Sequence, residues 1–175
     1  AIHWKQVLDE PIVRAQLKNN FDSQNVMFWS EVEGCYVLYA RHSHEGRRAT
    51  ARATSQDFLN WSEQTLMSYS DTGTTTPSAN LYTNQTQPSF RAPHIYVSLP
   101  GRIFFADERH VAREDDRTTA QLRKLAVTPD LLDFFKNNVN QSAGRAGDVS
   151  DGVFLTTRAG STRFDFTFKE SFLRP

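Results

Sequence analysis

Gln87-Pro88-Ser89-Phe90-Arg91-Ala92-Pro93, followed by His94-Ile95-Tyr96, is the stretch around which the chain is organised. It carries two prolines, an arginine and a histidine, yet runs directly into an apolar segment, Ile95 to Leu99. Proline cannot donate to a ladder, so it is poorly placed inside a central strand and well placed where a chain comes into a sheet. Polar side chains crowded at such a point mark a site more often than a core. The same arrangement stands earlier, where Phe21-Asp22-Ser23-Gln24-Asn25 leads into Val26 to Trp29. Two polar lead-ins to two apolar strands predict a repeated unit with a shared mouth.

Working outward, Val26 to Trp29 is apolar on both parities, as expected of a strand buried on both faces. Glu31 to Gly34 reads as a turn, Tyr36 to Ala40 as the returning strand, His42 to Arg48 as a charged tip, Ala49 to Thr54 as a third strand and Ser62 to Met67 as a fourth. Ser68 to Thr86, rich in serine, threonine and asparagine, reads as a long surface loop. The pattern then restarts: a strand over Ile95 to Leu99, a Pro100-Gly101 turn matching Gly34, and strands over Arg102 to Ala106, Val153 to Thr157 and Phe164 to Phe172. Residues 107–150 are an insertion in this second unit. Within it Thr128-Pro129-Asp130 is a helix start, with a cap, a proline at the first position and an acid in the first turn.

The opening His3-Trp4-Lys5-Gln6 resembles Asn60-Trp61-Ser62-Glu63, so residues 1–13 are expected to be the outer strand of a preceding unit. Repeated four-stranded antiparallel sheets with one strand offset across the chain start are the pattern of a β-propeller. The expectation is an all-β fold of about two four-stranded antiparallel propeller blades plus one outer strand, with a short helical insertion in the second blade. The blades span 21–70 and 87–175. Propellers close with about four to eight blades, so the remaining blades are expected from the same protein or from self-association.

The chain of 175 residues fits one domain with a real core. Lysine plus arginine equals aspartate plus glutamate at 20 each, so no global field attracts nucleic acid or anionic lipid, and neither is expected as a partner. No apolar run approaches the ~20 residues of a membrane span. Thirteen phenylalanines, five tyrosines and three tryptophans suit β structure and sugar-stacking surfaces alike. Cys35 is alone, so no internal disulfide forms and the compartment stays open.

Ala53-Thr54-Ser55-Gln56-Asp57-Phe58-Leu59-Asn60-Trp61 resembles the S-x-D-hydrophobic-x-x-W element that ends blades in five-bladed glycoside hydrolases of the invertase-like and arabinanase-like families. Phe90-Arg91-Ala92-Pro93-His94 is similar to the Arg-Asp-Pro of the first and the Trp-Ala-Pro of the second. Ser150-Asp151-Gly152-Val153-Phe154 and Phe172-Leu173-Arg174-Pro175 further resemble bacterial members of that superfamily. The resemblance implies a carbohydrate substrate at the mouth of the propeller, and an acid on the innermost strand of the first blade serving as nucleophile or general base. Asp22 is the matching position. The second acid of the invertase-like pattern falls on Ala92, which cannot stabilise a transition state, and the general acid has no match in this chain.

Glycoside hydrolysis needs two carboxyl groups flanking the bond, one protonated and one not. Asp22 is the first catalytic candidate; its bland alternative is a turn cap with Ser23. Asp151 is the second, against the reading of an Asp-Gly turn residue. Arg91 and His94 flank Pro93 and can fork onto or donate to sugar hydroxyls, and Asn25 and Gln87 are further substrate-binding candidates. His42-Ser43-His44 puts two imidazoles on one strand face, but no third ligand has a recognisable spacing, so neither a metal nor a cofactor is expected. The expected function is glycoside hydrolysis; the rivals are a non-catalytic carbohydrate-binding propeller and a scaffold that pairs its open sheet edges with a partner.

Overall fold

The computed structural model describes residues 3, 5–14, 21–104 and 149–173. These residues are all-β, and no helix occurs among them. The helix expected from Thr128 lies outside them. Residues 1–102 and 151–174 make one compact unit, to which the following description applies; residues 103–150 make another.

The first sheet is an antiparallel meander of β1 (Val26–Ser30), β2 (Cys35–His44), β3 (Arg47–Ser55) and β4 (Thr65–Leu66), in the order β1-β2-β3-β4. Its first turn closes with the Gly34 amide on the Ser30 carbonyl at 2.8 Å, Gly34 taking a φ of 63°. The second is tighter than the expected charged tip. His44 pairs with Arg47, leaving only Glu45 and Gly46 between strands, with φ of 48° and 76°. Two successive left-handed residues match the twist of a two-residue hairpin, and glycine takes the second at no steric cost.

The expectation for β1 needs correction. Met27 and Trp29 are 41% and 42% exposed, because β1 ends the strand order and only its Val26 and Phe28 side faces the core. The strand covered on both faces is β2, where Val37, Leu38, Tyr39 and Ala40 are all buried. No strand forms over the described residues 5–14 either, since that segment makes no ladder with the sheet; Val13 instead packs on Leu38, Ala40 and Ala53.

The second sheet is curled and mixed. It contains β5 (Ser68–Tyr69), β6 (Asn80–Leu81), β7 (Gln87–Ser89), β8 (Ala92–Ser98), β9 (Gly101–Phe104), β10 (Val149–Arg158) and β11 (Arg163–Leu173). The main order is β5-β11-β10-β8-β7, with β9 beside β10 and β6. Pro100-Gly101 is not a turn. Leu155 lies opposite Ser98, the Val153 amide donates to the Pro100 carbonyl, and Arg102 meets Asp151, so β8 and β9 follow one another along the same side of β10. Gly101 is therefore no counterpart of Gly34. It serves close approach, since a Cβ there would lie 3.2 Å from the Thr83 hydroxyl that accepts its amide at 2.8 Å.

Residues 68–86 are likewise no surface loop. They hold β5, parallel to β11, and β6, and bury Tyr69, Ala79, Asn80, Leu81, Asn84 and Thr86. Part of their polarity is satisfied internally: Asn84 Oδ1 accepts from the Thr86 amide and hydroxyl, and Thr86 Oγ1 meets Ser98 Oγ at 3.0 Å. The stretch Gln87 to Pro93 is itself a hairpin, with Ser89 opposite Ala92. Its prolines are tolerated because β7 ends the strand order and the β8–β10 register stops at Ile95, short of Pro93.

The core lies between the two sheets. Val37, Tyr39 and Met67 from one side meet Tyr69, Tyr96, Leu155 and Phe164 from the other. Phe28 stands edge-on to Tyr96 at 5.2 Å and Tyr69 stacks on Phe164 at 6.1 Å. Burying each large side chain stabilises by about 1.5–3 kcal/mol, so this aromatic layer fixes the packing that positions the loops above it.

Candidate functional site

Asp22 sits on a loop with an uncommon backbone. Phe21 and Ser23, the residues on either side of it, have φ of 61° and 65°. Left-handed geometry costs a non-glycine residue roughly 1–2 kcal/mol, and an aromatic residue there is a genuine outlier. Local interactions over-determine the loop. Asn25 donates both amide hydrogens to the carbonyls of Phe21 and Ser23, at 3.1 and 3.2 Å, and its Oδ1 accepts the Arg41 amide at 2.9 Å. Ser23 Oγ donates to the Tyr82 carbonyl at 2.8 Å. The Phe21 amide reaches the Arg41 carbonyl at 3.3 Å.

The Asp22 carboxylate is open to solvent, whereas its partner Arg41 has a side chain only 5% exposed. Arg41 holds the carboxyl below the usual aspartate range, first by hydrogen bonding and then by charge, with a smaller contribution from Arg48. Both guanidiniums lie over the Tyr82 ring, at 5.4 and 5.1 Å from its centre. Asp22 is thus ionised, fixed and accessible.

Beside this loop a cleft of about 450 Å3 runs between β1 and β7, lined by Asn25, Val26, Met27, Phe28, Thr86, Gln87 and Pro88. Two candidates from separate parts of the sequence, Asn25 and Gln87, share it. Asn25 has only one lone pair of Oδ1 left for a ligand. Arg91 and His94 do not line the cleft: Arg91 lies over the exposed Phe90 ring at 5.3 Å on the β7–β8 hairpin tip, and His94 is exposed on β8. Ala92 is half-buried next to them.

Asp151 has a different environment. Its side chain is 8% exposed, and it receives Arg102 Nε at 2.8 Å, a second guanidinium nitrogen and the Ser171 hydroxyl. Burial raises its pKa, but the bonds from Arg102 and Ser171 outweigh this and leave it lowered. None of its partners is shared with Asp22. His42 is buried, which together with the nearby His44 lowers its pKa. No group of three metal-ligating side chains occurs among the described residues.

A second carboxylate cluster has no sequence signal. Glu33, in the β1–β2 turn, pairs with Arg52 of β3, accepts the Tyr96 hydroxyl at 2.6 Å and takes an amide hydrogen from Gly160. Ser30 Oγ also meets the Tyr96 hydroxyl. Burial raises the Glu33 pKa, and the bonds from Tyr96 and Arg52 bring it below the ordinary value. Burial pushes the Tyr39 hydroxyl, near Arg52, up to about 12. Its three partners, Arg52, Tyr96 and Gly160, come from positions too far apart for any local pattern to reveal. The Ser55-x-Asp57 element, by contrast, is a closed loop: Asp57 accepts the Leu59 and Asn60 amides at 2.9 and 2.7 Å, while the Trp61 indole donates to the Phe58 carbonyl.

No family model, curated protein or solved structure matches the chain. The chemistry therefore rests on the geometry. Among the described residues Asp22, Glu33, Asp57 and Asp151 have lowered pKa values, and of these Asp22 and Asp57 are exposed. Asp57 spends its oxygens on the Leu59 and Asn60 amides and on the Asn60 and Ser55 side chains of its own loop, whereas Asp22 pairs with Arg41; an ionised, exposed carboxylate can accept a proton or attack, but cannot donate one.

Proposed function

We propose that the chain supplies two neighbouring blades of a β-propeller that acts on carbohydrate, with Asp22 as general base or nucleophile of glycoside hydrolysis and the adjoining cleft as the sugar site. The observation that carries this reading is Asp22 itself, ionised and open between two left-handed non-glycine residues. Strain of this kind persists where the surroundings over-determine it and is concentrated at functional sites. The blade reading is supported by two antiparallel meanders in chain order, β1-β2-β3-β4 and β7-β8-β10-β11, with β1 beside β7. Glu33 and Asp151 are poor choices for the general acid, which must hold its proton at working pH. Gln87 is the sugar-hydroxyl ligand the cleft favours, and Arg91 and His94 serve a ligand that extends over the β7–β8 tip.

A second reading, a non-catalytic carbohydrate-binding propeller, is favoured by one observation: Ala92 stands where the resemblance places a catalytic acid. Asp22→Asn separates the two. Turnover of any member of a glycoside panel by the wild type, lost in the variant while calorimetric binding persists, supports hydrolysis. Binding without turnover in either protein supports the second reading, and neither binding nor turnover in the wild type refutes both.

A further inference from the structure

We propose that Asn25 is a positioning residue, which holds the Asp22 carboxylate on Arg41 by clamping the loop backbone rather than by touching substrate. This rests on the reading of Asp22 as the working carboxylate. The argument begins with what the Asn25 amide already does. Both of its hydrogens are spent on the carbonyls of Phe21 and Ser23, the two left-handed residues, and its oxygen takes the amide of Arg41, whose guanidinium pairs with Asp22. One side chain therefore ties together both flanks of Asp22 and the backbone of its partner.

The chemistry requires this residue type. Only a primary amide offers two donors and an acceptor on one short, planar group. Aspartate at position 25 would set its oxygens against the two carbonyls, and leucine would leave both carbonyls and the Arg41 amide without their partner. Without the clamp only the Phe21 amide bond to Arg41 and the Ser23 hydroxyl bond to Tyr82 offset the left-handed cost, and the loop relaxes toward ordinary φ, loosening the Asp22 carboxylate from Arg41. A second tie acts in parallel: Ser23 Oγ donates to the Tyr82 carbonyl, and the Tyr82 ring lies under the guanidiniums of Arg41 and Arg48, the two charges that act on Asp22.

The test is the carboxyl 13C titration of Asp22 in the whole chain, with Asn25→Ala as the variant. It is read together with the intraresidue amide-to-Hα nuclear Overhauser effects of Phe21 and Ser23, which are strong at positive φ. Wild type is expected to titrate below the ordinary aspartate value of about 3.9 and to show both strong effects. Asn25→Ala is expected to move the midpoint up toward that value and to weaken both effects, with the sheet resonances unchanged. An unchanged midpoint in a folded Asn25→Ala chain overturns the proposal. Should that variant not fold, Asn25→Ser decides: a small polar side chain is kept while the two-donor amide is lost, and a midpoint that stays at the wild-type value overturns the proposal. No sugar enters either measurement. A shifted midpoint beside full turnover by Asp22→Asn would keep the positioning role and discard the catalytic one.

Discussion

Replacing Glu33 with glutamine tests whether one buried carboxylate holds the two sheets together. The Glu33 and Arg52 side chains are 13% and 10% exposed. Glutamine keeps the volume and can keep the hydrogen bonds: its oxygen can face Arg52 and the Gly160 amide, and its amide can face the Tyr96 hydroxyl, which then donates to Ser30. What is lost is the countercharge of a buried guanidinium. A hydrogen bond to a charged group contributes about 1.5–3 kcal/mol, and breaking a buried pair outright costs about 3–5 kcal/mol. With the bonds retained, the expected loss is about 2–3 kcal/mol, or roughly 5–10 °C in Tm for a chain of this size. Urea unfolding should show a lower midpoint at unchanged m-value. Adding Arg52→Met, which removes the stranded charge, should recover part of the loss, giving a coupling of about 1 kcal/mol or more in the double-mutant cycle. The pH dependence has a definite sign. Glu33 has a lowered pKa in the fold, so its stabilisation is fully present above the unfolded value of about 4.3 and is lost as pH falls through the folded one. Glu33→Gln should flatten that part of the acid limb. A loss under about 0.5 kcal/mol, the size of an ordinary surface change, with no change in the acid limb, would refute the reasoning.

Asp151→Asn should destabilise by about 2 kcal/mol in urea unfolding because it weakens the charged fork that the largely buried Arg102 makes on Asp151. The lowered Asp151 pKa means its stabilisation is present above about 3.9 and is lost on further acidification, so the variant should weaken the acid dependence that Glu33→Gln leaves behind. Gly160→Ala should cost about 1–2 kcal/mol in the same assay through backbone alone, since φ is 77° and an added Cβ would stand clear at 4.0 Å from Glu33 Oε2.

The first sheet was legible because its local and tertiary signals agree. Gly34 and Glu45-Gly46 supply left-handed turn positions where β1, β2 and β3 must reverse, and β2 is apolar on both parities because it is covered on both faces. The second sheet was misread where composition and geometry part. Pro100-Gly101 has the composition of a turn, yet the glycine is there for its close contact with Thr83 and the chain runs on along β10. The polar lead-in that holds Asp22 was legible as the segment ahead of β1, but the left-handed backbone on both sides of Asp22 was not. The contacts of Asn25 were not legible either, because an asparagine at the end of a polar run looks the same whether its amide faces a ligand or its own backbone. Glu33 was hidden for a further reason: its value depends on Arg52, Tyr96 and Gly160, which only the packing of two sheets brings within reach.

The connection over 68–86 decides how these parts act together. Read as solvent-facing polar chain, it would leave the Asp22 loop supported by β2 alone. In the fold, Tyr82 donates its amide to the Gly101 carbonyl at 2.7 Å, accepts Ser23 through its own carbonyl and carries Arg41 and Arg48 on its ring. Two residues earlier, Asn80 Oδ1 accepts the Arg48 amide. A single short segment thus links the β8–β9 junction of the second sheet to the backbone beside Asp22 and to both cations that set its charge. The cleft has one wall on each sheet, at Asn25 to Phe28 and at Thr86 to Pro88. Asp22 itself does not line the cleft, so on the proposed reading a ligand has to reach past Asn25 to meet it, and the segment that ties the two walls together sets that distance. Within 68–86 it is Asn80, Tyr82 and Thr83 that make this link, while Thr72, Thr74 and Thr76 bond to one another in their own turn.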